Sequence, residues 1–265
     1  MKNLPFKPEL VTKGLLKHLP ERSRHILERR YGIGKTSKGE TLEAIGKDYK
    51  ITRERVRQIE NHAFGKLKDQ METSEVKTAT EYMQGIFAEK GHIASENDML
   101  ENLAENSTQK NHLYFLLTLS NGFTRIREND SLHNRWTTDS SKQKKVEQAI
   151  SSFHEKLNEH PLPEKELLSR FAECFHEESE IIPEAHLASW LRMSKRITQN
   201  PFGEWGLADS PYILPRGIRD LAYLCMRKHG SPMHFREVAE TITKTIKRNA
   251  HPQTVHNELI KDSRF

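Results

Sequence analysis

The chain has 265 residues, 35% of them apolar and 30% charged, a composition typical of a soluble protein made of one large domain or several small ones. Its basic start lacks the apolar core of a signal peptide and no apolar run could span a bilayer, so the sequence predicts a cytoplasmic protein without a membrane partner. Residues 1–71 hold 17 Lys and Arg against 9 Asp and Glu, whereas the rest holds 25 against 28, so phosphate binding is expected from the N-terminal segment.

Residues 41–68 are predicted to form two short helices joined by a tight turn. Thr41 and Thr52 each precede a helical pattern, and a hydroxyl at that position can accept a hydrogen bond from an otherwise unpaired backbone N–H. Leu42 and Ile45 would face inward on the first helix. On the second helix, apolar residues recur at three- and four-residue steps, which predicts one buried stripe. The stripe consists of Val56, Ile59, Ala63 and Leu67.

The opposite face of the second helix carries side chains of the kinds that read base edges in the major groove. Arg can pair in two-pronged fashion with guanine, Asn or Gln with adenine, and a carboxylate can accept from the cytosine amino group. The residues expected to read bases are Arg53, Glu54, Arg57, Gln58 and Asn61. Backbone N–H groups at a helix start can hold a phosphate, and Thr41 is expected to contact one. The alternative is a charged helix face that is only solvated.

The run Ile-Thr-Arg-Glu-Arg-Val-Arg-Gln-Ile-Glu at 51–60, preceded by Thr-Leu-Glu-Ala-Ile-Gly at 41–46, resembles region 4 of the bacterial housekeeping (sigma-70-type) sigma factors. The resemblance extends upstream to Leu19, through a helix packed behind the reading pair, and downstream to about Lys68. It implies that Arg53, Glu54, Arg57 and Gln58 read the upstream promoter element, with Thr52 and Arg55 nearer the sugar-phosphate backbone. It also implies a contact with the flap of RNA polymerase core.

Two departures from the family pattern bear on the turn and on specificity. Lys50 stands where Gly is frequent, so a left-handed backbone there would carry a small strain. Asn61 and His62 replace small or basic residues, and Asn61 lies on the reading face, so the preferred DNA sequence is expected to differ from the usual promoter element. Few residues precede the matching helix, leaving no room for the aromatic-rich segment that melts promoters in that family. Duplex binding without DNA opening is therefore expected.

Beyond residue 71 the sequence repeats one pattern three times, at a shift of about 70 residues. In each copy an amphipathic helix ends, a short extended stretch follows, and a second helix begins; these junctions start at Glu89, Asn158 and Lys228. A third helix is expected around His112–Ser120, Glu184–Ser194 and Gln253–Asp262. Trp136 and Trp205 then mark a two-stranded wing in the first two copies. The order helix, strand, helix, helix, hairpin is that of a winged helix.

The third copy resembles HARE-type winged-helix domains, through Gly-Ile-Arg-Asp-Leu-Ala-Tyr at 217–223, Gly-Ser-Pro-Met-His-Phe-Arg-Glu-Val-Ala at 230–239 and Thr-Val-His-Asn-Glu-Leu at 254–259. It ends where its wing should begin, so we expect a fragment or a truncated reading frame. The predicted fold is mainly α: an N-terminal helix-turn-helix followed by three winged-helix repeats, the last without its wing. The predicted domains are residues 1–71, 72–139, 140–210 and 211–265.

The winged units could contact either protein or DNA. Arg125, Arg127 and Arg135 around the first wing, and Lys195 and Arg196 around the second, could touch phosphate. A net acidic segment disfavours this, because phosphate binding requires concentrated positive charge, so protein contact is the favoured reading. The two wing tryptophans are expected to anchor small cores rather than to stack on bases.

Signals for catalysis or metal binding are absent from the sequence. Gly34-Lys35-Thr36 resembles the end of a phosphate-binding loop, but the first glycine of that motif would fall at Arg29. Cys174 with His176 is a lone pair, no His-Glu-x-x-His occurs, and both cysteines lie in apolar helical contexts typical of reduced core thiols. We therefore expect no enzyme activity, cofactor, metal or small-molecule substrate.

These features predict a sequence-specific DNA-binding transcription regulator, with double-stranded promoter-like DNA as ligand and RNA polymerase core as a possible partner. The rival hypothesis is an RNA polymerase-associated or restriction-linked adaptor that does not read sequence itself. The DNA site, the sign of regulation, the partner of the winged units and the oligomeric state are left open.

Overall fold

The computed structural model describes residues 4–70, 73–175 and 181–264. Within these residues the chain is mainly helical, with one three-stranded and one two-stranded sheet. Two compact units are present. The first comprises the described residues up to 129 together with 133–143, and the second comprises 130–132 and the described residues from 144 onwards. No helix in these ranges combines the length and the apolar character needed to cross a bilayer.

Four helices form the N-terminal part of the first unit, which we call the head: α1 (Pro8–Leu16), α2 (Glu21–Tyr31), α3 (Leu42–Tyr49) and α4 (Arg53–Lys68). Both predicted N-caps are confirmed. The Thr41 hydroxyl accepts a hydrogen bond from the Ala44 N–H, and the Thr52 hydroxyl accepts one from the Arg55 N–H, each at 3.1 Å. These two bonds define the starts of α3 and α4, and the second marks the end of the turn that follows Tyr49.

The turn between α3 and α4 contains Lys50 in the left-handed conformation, with φ of 53°. The sequence indicated a strain at this position if the turn required that backbone, and the structure confirms that it does. Gly46 serves the same turn, because a Cβ built on it would lie 2.7 Å from the carbonyl oxygen of Ile51. The Ile51 N–H also donates to the Gly46 carbonyl at 2.9 Å, so the chain closes on itself tightly here.

The rest of the first unit has the element order expected of a winged helix. Its elements are α5 (Ser74–Glu89), β1 (Ile93–Ser95), α6 (Glu96–Leu103), α7 (Ser107–Leu119), β2 (Thr124–Ile126) and β3 (Arg135–Thr137). Strand β3 lies in the middle of an antiparallel sheet, so Trp136 faces Ala94 of β1 and Arg125 of β2. Trp136 is buried, as expected for a residue that anchors the wing in the core.

The head and this winged unit share one hydrophobic core. Apolar residues of α1, α2 and α4 pack in the same cluster as those of α5, α6 and α7. At the centre of the contact, the ring of Tyr31 lies edge-on to Phe64 and Phe115, with centroids 5.8 and 5.2 Å away. Phe64 stacks on Phe115 at 5.8 Å. The two predicted domains are therefore joined in one compact body.

The second unit repeats the pattern with less strand. Its elements are α8 (Ser140–Lys156, whose first turn belongs to the first unit), α9 (Glu164–Ala172), α10 (Glu184–Leu191), β4 (Ile197–Gln199), β5 (Trp205–Leu207), α11 (Ile218–His229), α12 (Phe235–Thr241) and α13 (Pro252–Lys261). The stretch before α9 contributes only a bridge between Leu162 and Trp205. A turn of π-helix, Ile242–Ile246, follows α12.

The mainly α fold with small antiparallel sheets is confirmed, and each predicted third helix exists, as α7, α10 and α13. The chain divides into two compact units where the sequence suggested four domains, and the finer boundaries stay a prediction. Part of the predicted third copy, Phe265, lies outside the described residues.

Candidate nucleic-acid interface

Helix α4 is amphipathic in the sense predicted, with its apolar stripe buried. Val56 and Leu67 are fully inaccessible, Ala63 is 1% exposed, and Ile59 is partly buried. Val56 packs with Ile26 of α2 and Ile45 of α3 in a small core that belongs to the helix-turn-helix alone. That core fixes the orientation of α4 against α2 and α3, so its opposite face points away from the protein.

All eight residues of the head that are expected to contact DNA lie on the exposed surface. The base-reading candidates are Arg53, Glu54, Arg57, Gln58 and Asn61, and the phosphate candidates are Thr41, Thr52 and Arg55. Each of these eight is classed as solvent-exposed, including the two threonines whose hydroxyls cap the helices. The structure therefore places the eight side chains at the starts of α3 and α4 and along one face of α4. Their roles on DNA stay predictions.

Four of these side chains are held in pairs along the helix. The Arg57 guanidinium donates to both carboxylate oxygens of Glu54, at 2.9 and 2.6 Å, and Arg55 donates to the Gln58 side-chain oxygen at 3.1 Å. The hydrogen bond from Arg57 lowers the pKa of Glu54. Glu54 is consequently ionised at neutral pH and able to accept hydrogen bonds. Such exposed pairs are weak in water, so the same groups can be exchanged for base edges on binding.

A second set of charged residues holds α2 against α3. Arg29 donates to both carboxylate oxygens of Glu40, at 2.8 and 2.5 Å, and to Asp48 at 2.5 Å. The Arg29 guanidinium lowers the pKa of Glu40. Arg30 donates to the Glu40 carbonyl at 2.9 Å, which ties the loop before α3 to α2. These bonds position Thr41 and the start of α3.

Two further side chains, Asn111 and Tyr31, hold elements of the first unit together. The Asn111 amide of α7 donates to the carbonyls of Gly32 and Ser37, at 3.0 and 2.7 Å, and so holds the loop between α2 and α3. Tyr31 donates from its hydroxyl to Glu60 of α4 at 3.0 Å. The Asn111 bonds connect α7 to the head across 74 and 79 residues of chain, whereas the Tyr31 bond lies within the head and ties α2 to α4. No local motif marks Asn111.

Helix α7 packs against the head, and its buried residues are not accessible to a ligand. Six of its thirteen residues are buried: His112, Leu113, Phe115, Leu116, Leu117 and Leu119. A helix that follows another in a helix-turn-helix pair is the one that usually enters the DNA groove. In the first winged unit that helix instead forms the surface on which the head is mounted.

The arginines of the first wing are largely committed to the protein. Arg135 is 2% exposed and donates to the carbonyls of Arg127 and His133, at 3.2 and 3.1 Å. Arg125 donates to both oxygens of Glu96, at 2.6 and 2.9 Å, and its guanidinium lies 5.5 Å from the ring centre of Tyr114. The expectation that these two could touch phosphate is not supported, because each guanidinium already serves the fold.

Arg196 near the second wing is exposed and Lys195 is half-buried.

Cys174 and Cys225 are free thiols, and burial raises the pKa of Cys225 to about 11. His176, the other member of the pair noted in the sequence, lies outside the described residues. In the ranges that are described, His, Cys, Asp and Glu side chains form no group of three suited to a metal ion.

A compact core under two capped helices, with an exposed polar face on the second, defines a helix-turn-helix of the DNA-reading type. Residues 15–69 match the family model of Sigma-70, region 4. The same stretch is 43% identical over 56 residues to the RNA polymerase sigma factor RpoD of Helicobacter pylori. It is 43% identical over 58 residues to RpoD of Neisseria gonorrhoeae, and 44% identical over 54 residues to the principal sigma factor HrdD of Streptomyces viridifaciens.

These similarities cover a small part of every protein concerned. The matches span 20 to 22% of this chain, but 8 to 9% of the two RpoD proteins and 16% of HrdD. No solved structure matches the chain. The similarity to sigma region 4 therefore concerns α2, α3 and α4 together with the end of α1, and it does not reach the winged units.

Proposed function

We propose that the protein is a sequence-specific DNA-binding transcription regulator, whose head reads a promoter-like element through α4. The observation that supports this most directly is the separation of the two faces of α4. Its apolar stripe is buried while its Arg, Gln, Asn and Glu side chains are exposed in a segment that matches a DNA-binding family. These side chains have the donor and acceptor patterns that distinguish base pairs in the major groove.

Within this proposal the eight candidate residues have two roles. Arg53, Glu54, Arg57, Gln58 and Asn61 read bases, whereas Thr41, Thr52 and Arg55 position the head on phosphates. The net charge of residues 1–71 provides the long-range attraction to the duplex. The three winged-helix repeats, with the domain boundaries predicted above, act as an adaptor. RNA polymerase core is a proposed partner, as it is for sigma factors.

The proposal is tested by selecting bound sites from random duplex with the full chain and measuring variants on the selected site. Gln58→Ala should weaken binding by about 1 to 3 kcal/mol and relax base choice at one position. Arg57→Ala should behave in the same direction at a neighbouring position. Arg55→Ala should weaken all sequences alike and reduce the salt dependence, since it removes a phosphate contact.

Lys66→Ala is the matched control, because it removes a charge from the exposed surface of α4 outside the proposed reading set. It should leave base choice unchanged. The adaptor hypothesis makes a different prediction. If the variants at Gln58, Arg57 and Arg55 keep wild-type DNA affinity but lose capture of core polymerase, the head is a docking surface and the proposed reading function is wrong.

A further inference from the structure

The positive charge outside the head is concentrated in the last part of the chain. Residues 72–210 hold 15 Lys and Arg against 23 Asp and Glu, whereas residues 211–265 hold 10 against 5. The net charge of residues 72–265 taken together is therefore close to zero because an acidic middle segment offsets a basic end. Because phosphate binding depends on concentrated positive charge, residues 211–265 have the electrostatic character that the middle lacks.

The basic end contains a packed helix pair, α12 and α13, joined by the π-helical turn Ile242–Ile246 and a five-residue loop. Helix α13 packs on α11 and α12 through Val255, which is fully buried, and Leu259, which is partly buried. His251 caps the helix by accepting from the Gln253 N–H at 3.3 Å, and Pro252 occupies its first turn. The second helix of such a pair is the one that enters a DNA groove.

The exposed face of α13 carries groups suited to base edges. At about 100° per residue, Gln253, Asn257 and Lys261 fall within one quarter of the helix circumference, and Thr254 lies next to them. Gln253 and Asn257 are hydrogen-bonded to each other at 3.2 Å and are both exposed. Amides of this kind bind adenine in two-pronged fashion. Ile260, next to them on the helix surface, is 71% exposed and can make an apolar contact with a thymine methyl group.

Two exposed cations lie in the loop that leads into α13. Lys247 and Arg248 lie in the loop before the helix and are exposed, and Lys247 has a left-handed backbone with φ of 56°. By contrast, Arg219 and Arg264 of the same unit are paired with carboxylates, Arg264 with both Asp220 and Asp262. The loop cations are therefore placed to contact phosphate beside the groove that α13 would enter.

The corresponding helices in the other two copies lack this character. Helix α7 is buried against the head, and α10 buries Leu187, Ser189, Trp190 and Leu191 among its eight residues and begins with an acidic first turn. We propose that α13 is a second DNA-reading helix, which binds double-stranded DNA through Gln253, Asn257 and the cations Lys247, Arg248 and Lys261. This goes beyond the proposed function, which assigns DNA contact to the head alone.

The test uses the full chain and the duplex selected with it, and compares three double variants by fluorescence anisotropy at several salt concentrations. Gln253→Ala/Asn257→Ala should lower affinity about tenfold or more and change base preference at positions that α4 variants leave alone. Lys247→Ala/Arg248→Ala should weaken all sequences and reduce the salt slope by about 1 to 2. Lys144→Ala/Lys165→Ala, with the same loss of charge on α8 and α9, should match wild type.

Three outcomes distinguish this inference from the proposed function. If both α13 variants match the control while Arg57→Ala loses binding, α13 is not a reader and the proposed function stands. If the α13 variants lose binding while Arg57→Ala does not, the inference stands and the role of the head is wrong. If the α13 variants keep duplex affinity but lose affinity for an RNA hairpin of the same sequence, the ligand of α13 is RNA and the inference is overturned.

Discussion

Replacing Phe115 by Ala should destabilise the head and the first winged unit together. The Phe115 side chain is fully buried, 5.2 Å from the Tyr31 ring and 5.8 Å from Phe64. Removing the ring loses about 2 kcal/mol of stabilisation from apolar burial. The cavity left behind brings the expected loss to about 3 to 5 kcal/mol. For a unit of this size the loss corresponds to a fall in Tm of roughly 10 to 20 °C.

The assay is calorimetry combined with hydrogen exchange resolved along the chain. Because Phe115 touches residues of both α2 and α4, amides of α4 should lose protection in parallel with those of α7. Phe153→Ala is the control, since Phe153 is equally buried but packs on Phe171 in the second unit, 5.2 Å away. It should leave α4 protection unchanged. If amides of α7 lose protection in Phe115→Ala while those of α4 keep wild-type protection, the head and the winged unit do not share a core.

Three further predictions concern local features of the first unit. Thr52→Ala removes the cap of α4 and should cost about 1 kcal/mol, measured by denaturant unfolding; no change would mean that the cap is not needed. Lys50→Gly should raise Tm, because a left-handed backbone costs a residue with a Cβ about 1 to 2 kcal/mol and glycine avoids that cost. A lower Tm would contradict this. Burial lowers the pKa of His112 below its ordinary value of 6.5, so the unfolded chain takes up a proton more readily than the folded one. Stability should be complete above that ordinary value and fall as the pH drops through it towards the folded-state pKa. His112→Phe should show a smaller fall between pH 7 and pH 5 in the same assay, and an equal fall would exclude His112 as the cause.

The helix-turn-helix could be predicted because its information is local. Threonine caps, a stripe of apolar residues at helical spacing and the polar face opposite all lie within 41–68. The caps and the helical spacing depend on residues a few positions apart, which the order of residues fixes directly, whereas the stripe is buried against residues of α2 and α3. The buried stripe, both caps and the exposure of all eight candidate residues followed from that pattern.

The roles of the charged residues in the wings could not be predicted in the same way. Arg125 and Arg135 are basic residues of the kind that binds phosphate. In the fold, however, Arg125 donates to Glu96 and Arg135 donates to two backbone carbonyls. Those partners lie 29 residues away in the chain for Arg125, and eight and two residues away for Arg135. A count of charge along the sequence therefore could not separate cations that are free from those that are committed.

The sequence by itself determined which face of α4 is exposed, since an amphipathic helix encodes which side is buried. The tertiary structure decided that the head rests on α7, with Asn111 and Phe115 as contacts, and that α13 keeps its polar face exposed. Helices α7 and α13 were predicted to occupy the same place in the repeated pattern, yet α7 is buried against the head and the polar face of α13 is exposed to solvent. The reason is physical: each helix can bury its free face only against a neighbour, and which neighbour reaches it depends on how the whole chain folds.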